Sequence, residues 1–156
     1  GNRFIHGYSI DGFSYFSRSL KLNGSLSYVK GDENETYGPM PSISPIFGTI
    51  SGEYTKDKIK ISALYKFSGD KSPKDYSLGG EDGLEETPVI TEISNGIKYA
   101  GTPKWSDFSI YTNYDISEDV KIRIALTNIF DNHYRTFASG ISAPGRSFQI
   151  GLYLKL

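Results

Sequence analysis

Residues 146–156 alternate without a break: Phe148, Ile150, Leu152, Leu154 and Leu156 share one side, and Ser147, Gln149, Gly151, Tyr153 and Lys155 the other. Successive side chains of a strand point to opposite faces, so such a segment predicts a β-strand with one apolar and one polar face. A chain made of such segments must find somewhere to put an entire apolar sheet surface. The pattern recurs upstream. Val120, Ile122, Ile124 and Leu126 oppose Lys121, Arg123, Ala125 and Thr127. Ile59, Ile61, Ala63, Tyr65 and Phe67 oppose Lys60, Ser62, Leu64, Lys66 and Ser68, with Leu64 the single break, and Phe108, Ile110 and Ile116 oppose Ser109, Asn113 and Asp115. Strands are predicted over 3–17, 22–32, 44–55, 58–70, 105–116, 119–130 and 146–156, which makes an all-β antiparallel chain.

Alternation alone serves a soluble sandwich and a lipid-facing barrel equally well. Three features favour the barrel. The strands run to about ten residues, as a tilted strand needs to cross a bilayer, where soluble sheets use about five or six. Short turns near Ser19 to Lys21, Lys56 to Asp57 and Ser117 to Glu118 alternate with long loops over 33–43, 71–104 and 131–145, as in outer-membrane barrels. Aromatic residues of the apolar faces sit near strand ends. Tyr28, Phe67, Phe108, Phe130 and Phe148 lie toward the long loops, and Tyr54 and Tyr114 toward the short turns, giving two girdles at headgroup level.

Composition agrees: 17 glycines, 12 tyrosines and 9 phenylalanines against a single methionine suit strands and turns. A net charge of −1 offers no electrostatic footprint for nucleic acid. The absence of cysteine excludes disulfides and thiolate metal sites. No run is long and apolar enough for a spanning helix. The mean hydropathy of −0.39 does not exclude a barrel, because only alternate strand residues meet lipid. The start at Gly1, without an initiator methionine or signal sequence, is expected to be internal or processed.

Catalytic constellations are weak. His6 and His133 lie far apart with no ligand at metal-site spacing, no serine sits in a Gly-x-Ser-x-Gly elbow, and no glycine-rich loop opens a helix. The expectation is no catalytic residue, no cofactor and no metal site. Asp75, Glu81, Asp82, Glu85 and Glu86 cluster in the longest loop, as a calcium or cationic-ligand site would require and as a solvated loop would equally explain.

The most specific stretch of the chain is Asn128-Ile129-Phe130-Asp131-Asn132-His133-Tyr134-Arg135. It is similar to the Asn-(Leu/Ile)-Phe-Asp-x-x-Tyr-Arg motif of TonB-dependent receptors, a family that the chain resembles from about Gly12 onward. Ser139 to Arg146 resembles the Pro-Gly-Arg lead-in to the final strand, through Pro144, Gly145 and Arg146. Gly101-Thr102-Pro103-Lys104-Trp105 is similar to Gly-Thr-Pro-x-Trp, and Gly31 followed by Pro41 to Pro45 is similar to the acidic loop and proline-rich strand start. Phe137, where many relatives carry histidine, and Ser14, where a glutamate often follows the Gly-Phe pair, depart from the pattern. On the residues alone these motifs shape backbone: Pro144 fixes φ, Gly145 permits positive φ, and Asp131 and Asn132 form turns. Arg135 and Arg146 are read as rim salt bridges ahead of contacts to an anionic ligand.

The resemblance implies that residues 1–156 are the C-terminal portion of a roughly 22-stranded barrel, with the plug domain that closes its lumen not included. It implies energised uptake through the outer membrane of a Gram-negative bacterium, with a metal chelate (siderophore, haem or cobalamin) or similar large nutrient as ligand. Tyr37, Asp75, Tyr76, Glu81, Asp82 and Arg135 are the candidate extracellular ligand-loop residues. Expected partners are outer-membrane lipid, the rest of the barrel and plug, TonB through an N-terminal segment, and the barrel-assembly machinery. That machinery would read Gly151, Leu154 and Leu156 in the last strand. The alternatives are a TonB-independent pore or structural barrel, and a soluble all-β carbohydrate-binding module presenting Tyr37, Tyr76 and Trp105 as stacking rings.

Overall fold

Register, more than any packed core, organises this molecule, a computed structural model that describes residues 3–34, 38–93 and 96–155. Its strands are β1 (Ile5–Tyr15), β2 (Leu20–Gly31), β3 (Glu33–Asn34), β4 (Gly38–Pro39), β5 (Phe47–Lys56), β6 (Ile59–Ser68), β7 (Val89–Ile93), β8 (Gly96–Tyr99), β9 (Trp105–Asp115), β10 (Val120–Thr127) and β11 (Ser147–Leu154). Seven of them form one antiparallel meander in the order β1-β2-β5-β6-β9-β10-β11, while β3-β4 and β7-β8 are small hairpins within the long loops. Two single-turn 3-10 helices, Pro73–Asp75 and Leu84–Glu86, complete the longest loop. Among the described residues no helix is long and apolar enough to cross a membrane.

Cross-strand partners share a face, so the register joins the alternations of separate strands into two continuous surfaces. One passes from Ile10 through Leu26, Ile50, Tyr65, Phe108 and Ile110 to Leu126 and Phe148. Ile61, Thr112, Ile124 and Ile150 form the next row of the same surface. The opposite surface is polar. Ser9 meets Ser27 at 3.2 Å, Ser25 meets Thr49 at 2.7 Å, and the Asn23 amide donates to Ser51 Oγ at 3.2 Å. Farther along, Lys60 pairs with Glu53 at 2.5 Å and Lys121 with Asp115 at 3.1 Å, and the Arg123 guanidinium lies 5.9 Å from the Tyr111 ring centre. Leu64, the break in the sequence pattern, is on this polar face opposite Ser51 and Ser109.

The apolar surface is uncovered. Ile150 is 68% exposed and Leu152 60%, and among the described residues the only buried apolar side chains are those of Tyr76 and Ala125. Gly48 shows how tightly this face is nonetheless fitted. A Cβ there would press on the Ser25 carbonyl and lie 2.8 Å from the Phe67 ring, which crosses over it.

Several strand ends depart from the sequence expectation. The first turn occupies 16–19, with the Phe16 amide donating to the Leu20 carbonyl, so Lys21 is already inside β2. β10 stops at Thr127 instead of running to 130, because Asn128 turns the chain with a φ of 46°. Phe130 is therefore a loop residue. Its ring still stacks on Phe108 at 6.1 Å.

Candidate functional site

The long-loop rim, where the three long connections meet, contains most of the buried polar groups. After β10 the chain leaves the sheet at Asn128, whose side chain then organises the following loop. Its Nδ2 donates to the carbonyls of Asn132 at 2.9 Å and Pro144 at 3.1 Å, and its Oδ1 accepts from the Asn132 amide at 3.0 Å. Asparagine suits this position because it tolerates left-handed backbone and carries both a donor and an acceptor. Asn132 Nδ2 donates to the Ser106 carbonyl at 2.9 Å, and the Ile129 amide to that of Phe108 at the same distance, tying the loop to β9. Asp131, with φ 56°, accepts the Arg146 amide at 2.7 Å; the Arg146 guanidinium reaches it only at 4.0 Å.

Tyr134 bends back to donate to Asp107 Oδ2 at 2.9 Å, and Asp107 also takes Lys66 Nζ at 3.1 Å and the Ser109 hydroxyl at 2.9 Å. Ser109 Oγ in turn accepts the Asn128 amide at 3.2 Å. The Tyr134 ring stacks on Trp105 at 4.2 Å. Burial, followed by the hydrogen bond to and charge of Asp107, pushes the Tyr134 phenol up to about 12. The motif Asn-Ile-Phe-Asp-Asn-His-Tyr is thus a set of anchors between one loop and β9.

A second knot ties all three long loops together. Lys71 is 5% exposed, and its Nζ donates to Asp82 Oδ2 at 3.0 Å and to the Ile43 carbonyl at 2.7 Å. It also sits 4.1 Å from the Phe137 ring centre and 4.9 Å from that of Tyr76, a cation-π geometry. Asp82, 2% exposed, accepts the Ser42 amide at 2.6 Å. Tyr76 shares a 2.5 Å hydrogen bond with Thr102, and burial raises its pKa above the ordinary phenol value. Lys71 and Thr102 exchange backbone hydrogen bonds, and Gly101, with φ 77°, allows that approach because a Cβ would overlap the Lys71 carbonyl.

This geometry redistributes the candidate ligand residues. Tyr76 and Asp82 face inward and hold the loops to one another, so neither presents its functional group at the surface. The carbohydrate-module expectation for Tyr76 is corrected with them, since a ring 3% exposed cannot stack on a sugar. Glu81 is exposed and accepts from Ser77 at 2.9 Å, and Asp75 ends a 3-10 turn. Arg135 is exposed, donating to the Glu86 carbonyl at 2.8 Å and to Ser142 Oγ at 3.2 Å. Together with Lys104 and His133 it lines a cleft of about 260 Å³. Tyr37 and Leu156 lie outside the described residues. Gly151 and Leu154 are in β11, where Leu154 pairs with Val120 on the apolar face. Among the described residues no three acidic or histidine side chains gather as a metal site. Phe137 covers Lys71. Sequence reasoning missed Lys71, Lys66, Asp107 and Ser109, and the only available signal was that a lysine or aspartate at a strand end needs a partner once buried.

Known structures share this architecture. The copper transporter OprC superposes with a TM-score of 0.72 at 18% identity, covering 97% of this chain and 23% of its own. The ferric enterobactin receptor PfeA of Pseudomonas aeruginosa, solved as a point mutant, gives 0.68 at 19% identity over 96% of this chain and 22% of its own. The sheet has the fold of a fragment of a TonB-dependent receptor barrel. This chain therefore spans less than a quarter of the length of either barrel protein. By name these neighbours are a transporter and a receptor. No protein-family model and no curated protein matches the sequence.

Proposed function

We propose that residues 1–156 are the C-terminal portion of the barrel of a TonB-dependent outer-membrane receptor, which takes up a metal chelate or similar large nutrient. The observation that carries this reading is the continuous, uncovered apolar face across all seven long strands, backed by a polar face of serines, threonines and ion pairs. In water such a face would be an aggregation surface, whereas in a bilayer it is the required exterior. The same observation weighs against the soluble carbohydrate module.

Among the described residues β1 and β11 each pair on one side only, and an unpaired strand edge in hydrocarbon costs several kcal/mol per backbone group. Those edges are completed by the remainder of the barrel, and the polar face looks onto its plugged lumen. Energy for uptake would come through TonB, acting on an N-terminal segment of the receptor. The barrel-assembly machinery would engage β11, so replacing Leu154 and Leu156 with serine should abolish assembly into the membrane. The metal-chelate preference draws support from what the two structural neighbours carry by name, copper and ferric enterobactin.

Purification of the protein from its native outer membrane tests the reading. A species several times heavier than 17.3 kDa, whose deletion removes uptake of one class of metal chelate, supports it. A stable monomeric barrel of 17.3 kDa in detergent contradicts it, and a larger barrel conducting ions without TonB supports the pore alternative.

A further inference from the structure

The short-turn end of β1 and β2 carries an aromatic pair on the polar face of the sheet. The register sets Phe13 opposite Asn23 and Tyr15 opposite Lys21, and these in turn opposite Ser51 and Glu53, so both rings stand on that face. They meet edge to face with centroids 5.7 Å apart, and each residue is 66% exposed. Lys21 Nζ lies 4.8 Å from the Phe13 ring centre and 5.8 Å from that of Tyr15, and makes no hydrogen bond or ion pair among the described residues. Glu53, its cross-strand partner, pairs with Lys60 instead.

Side chains stand roughly perpendicular to a sheet, so a further strand paired with β1 would complete its backbone edge and cover only the flanks of the two rings. What covers the rest must come from the lumen. Lipid meets the exposed apolar side chains of the other face and cannot reach these. Two rings in contact, beside an ammonium without a counter-ion, form one patch that suits an apolar side chain next to a carboxylate. The chain spans under a quarter of the length of either structural neighbour, so most of a receptor of that length lies outside it. From this placement we infer that Phe13, Tyr15 and Lys21 dock the plug of the same receptor at the short-turn mouth of the barrel, which rests on the receptor reading above. An apolar plug side chain seats on the rings, and a plug carboxylate pairs with Lys21.

The test uses the full-length receptor in its outer membrane. Photoreactive p-benzoylphenylalanine replaces Phe13 or Tyr15 in turn, and mass spectrometry maps the adducts formed on irradiation. Both positions should capture the plug, and the same label at Phe148, on the apolar face, should capture lipid. Adducts from 13 and 15 that are confined to barrel strands, or absent, while Phe148 captures lipid, overturn this inference alone. Adducts to lipid from position 13, or to the plug from position 148, overturn the membrane reading with it. A second measurement is hydrogen exchange in the plug, which the double variant Phe13→Ser/Tyr15→Ser should speed by about tenfold at the docked segment. Lys21→Gln should speed it by a smaller factor. Unchanged exchange in both variants, each running as a folded, heat-resistant barrel, also overturns the docking point. A full-length sequence without a plug overturns the receptor reading together with it.

Discussion

Across the sheet the large apolar side chains point outward and the polar ones bond to one another, whereas at the long-loop rim the buried residues are mostly polar and several make three or more contacts. The sheet draws its order from backbone ladders and leaves its apolar face open, and the rim draws its order from a few side chains that each join two or three segments. Single substitutions should therefore behave differently in the two regions. In the sheet the outcome should depend on which face is changed, and at the rim on how many partners are lost.

The rim should give the larger effect. Lys71→Met leaves Asp82 buried without its cation, which costs about 3–5 kcal/mol for a buried pair. Hydrogen exchange at the Ser42, Lys71 and Ala143 amides, one in each loop, should report all three loops loosening together. The double variant Lys71→Met/Asp82→Leu should recover part of the loss, and loosening of one loop alone would show that the knot is not shared. In the sheet, Ile124→Arg should destabilise folding into lipid vesicles by about 2–4 kcal/mol at the bilayer midplane, as should a charge at Leu152. Substitutions at Arg123 and Gln149, on the other face of the same strands, should change little.

A smaller effect separates the two knots of the rim. Asn128→Ala removes both amide donations and the acceptor for Asn132, and should cost about 1–3 kcal/mol through the groups left unsatisfied. Its consequences should stay within the loop over 128–146 and leave the Lys71 contacts intact. The smallest effect is in pH. Because the folded pKa of Tyr134 is raised from the ordinary 10.0 to about 12, its contribution is complete below the lower value and is lost as pH rises through the higher one. Alkaline unfolding of the wild type should show this loss, and Tyr134→Phe should lack that part of the pH dependence.

What the sequence reveals follows the same division. The long strands and their two faces are legible because a period of two is written directly into residues such as Ile122 to Leu126 and Phe148 to Leu154. Strand ends are less so: β10 halts at Asn128 by a backbone turn that hydrophobicity does not record. The β7-β8 hairpin is written in the sequence, since Val89 to Ile93 followed by Asn95-Gly96 is a hairpin signal, but it lies inside a stretch whose length and composition read as loop. The Lys71–Asp82 pair was not legible. Its environment comes from Ile43, Tyr76 and Phe137 in three separate loops, which no local pattern brings together. The acidic cluster misled for the same reason, because Asp82 reads as one more solvated carboxylate until Lys71 and the Ser42 amide close on it.

The central claim is that the two faces of the sheet meet different solvents, and residue-by-residue accessibility along β10 and β11 in lipid tests it most directly. Single cysteines placed from Val120 to Thr127 and from Ser147 to Leu154, each carrying a spin label, would be exposed in turn to oxygen and to a water-soluble nickel chelate. The account predicts a period of two in both strands. Positions 122, 124, 126, 148, 150 and 152 should favour oxygen, and positions 121, 123, 125, 147, 149 and 151 the aqueous reagent. Uniform accessibility across both faces, or a water-exposed apolar face, would contradict it.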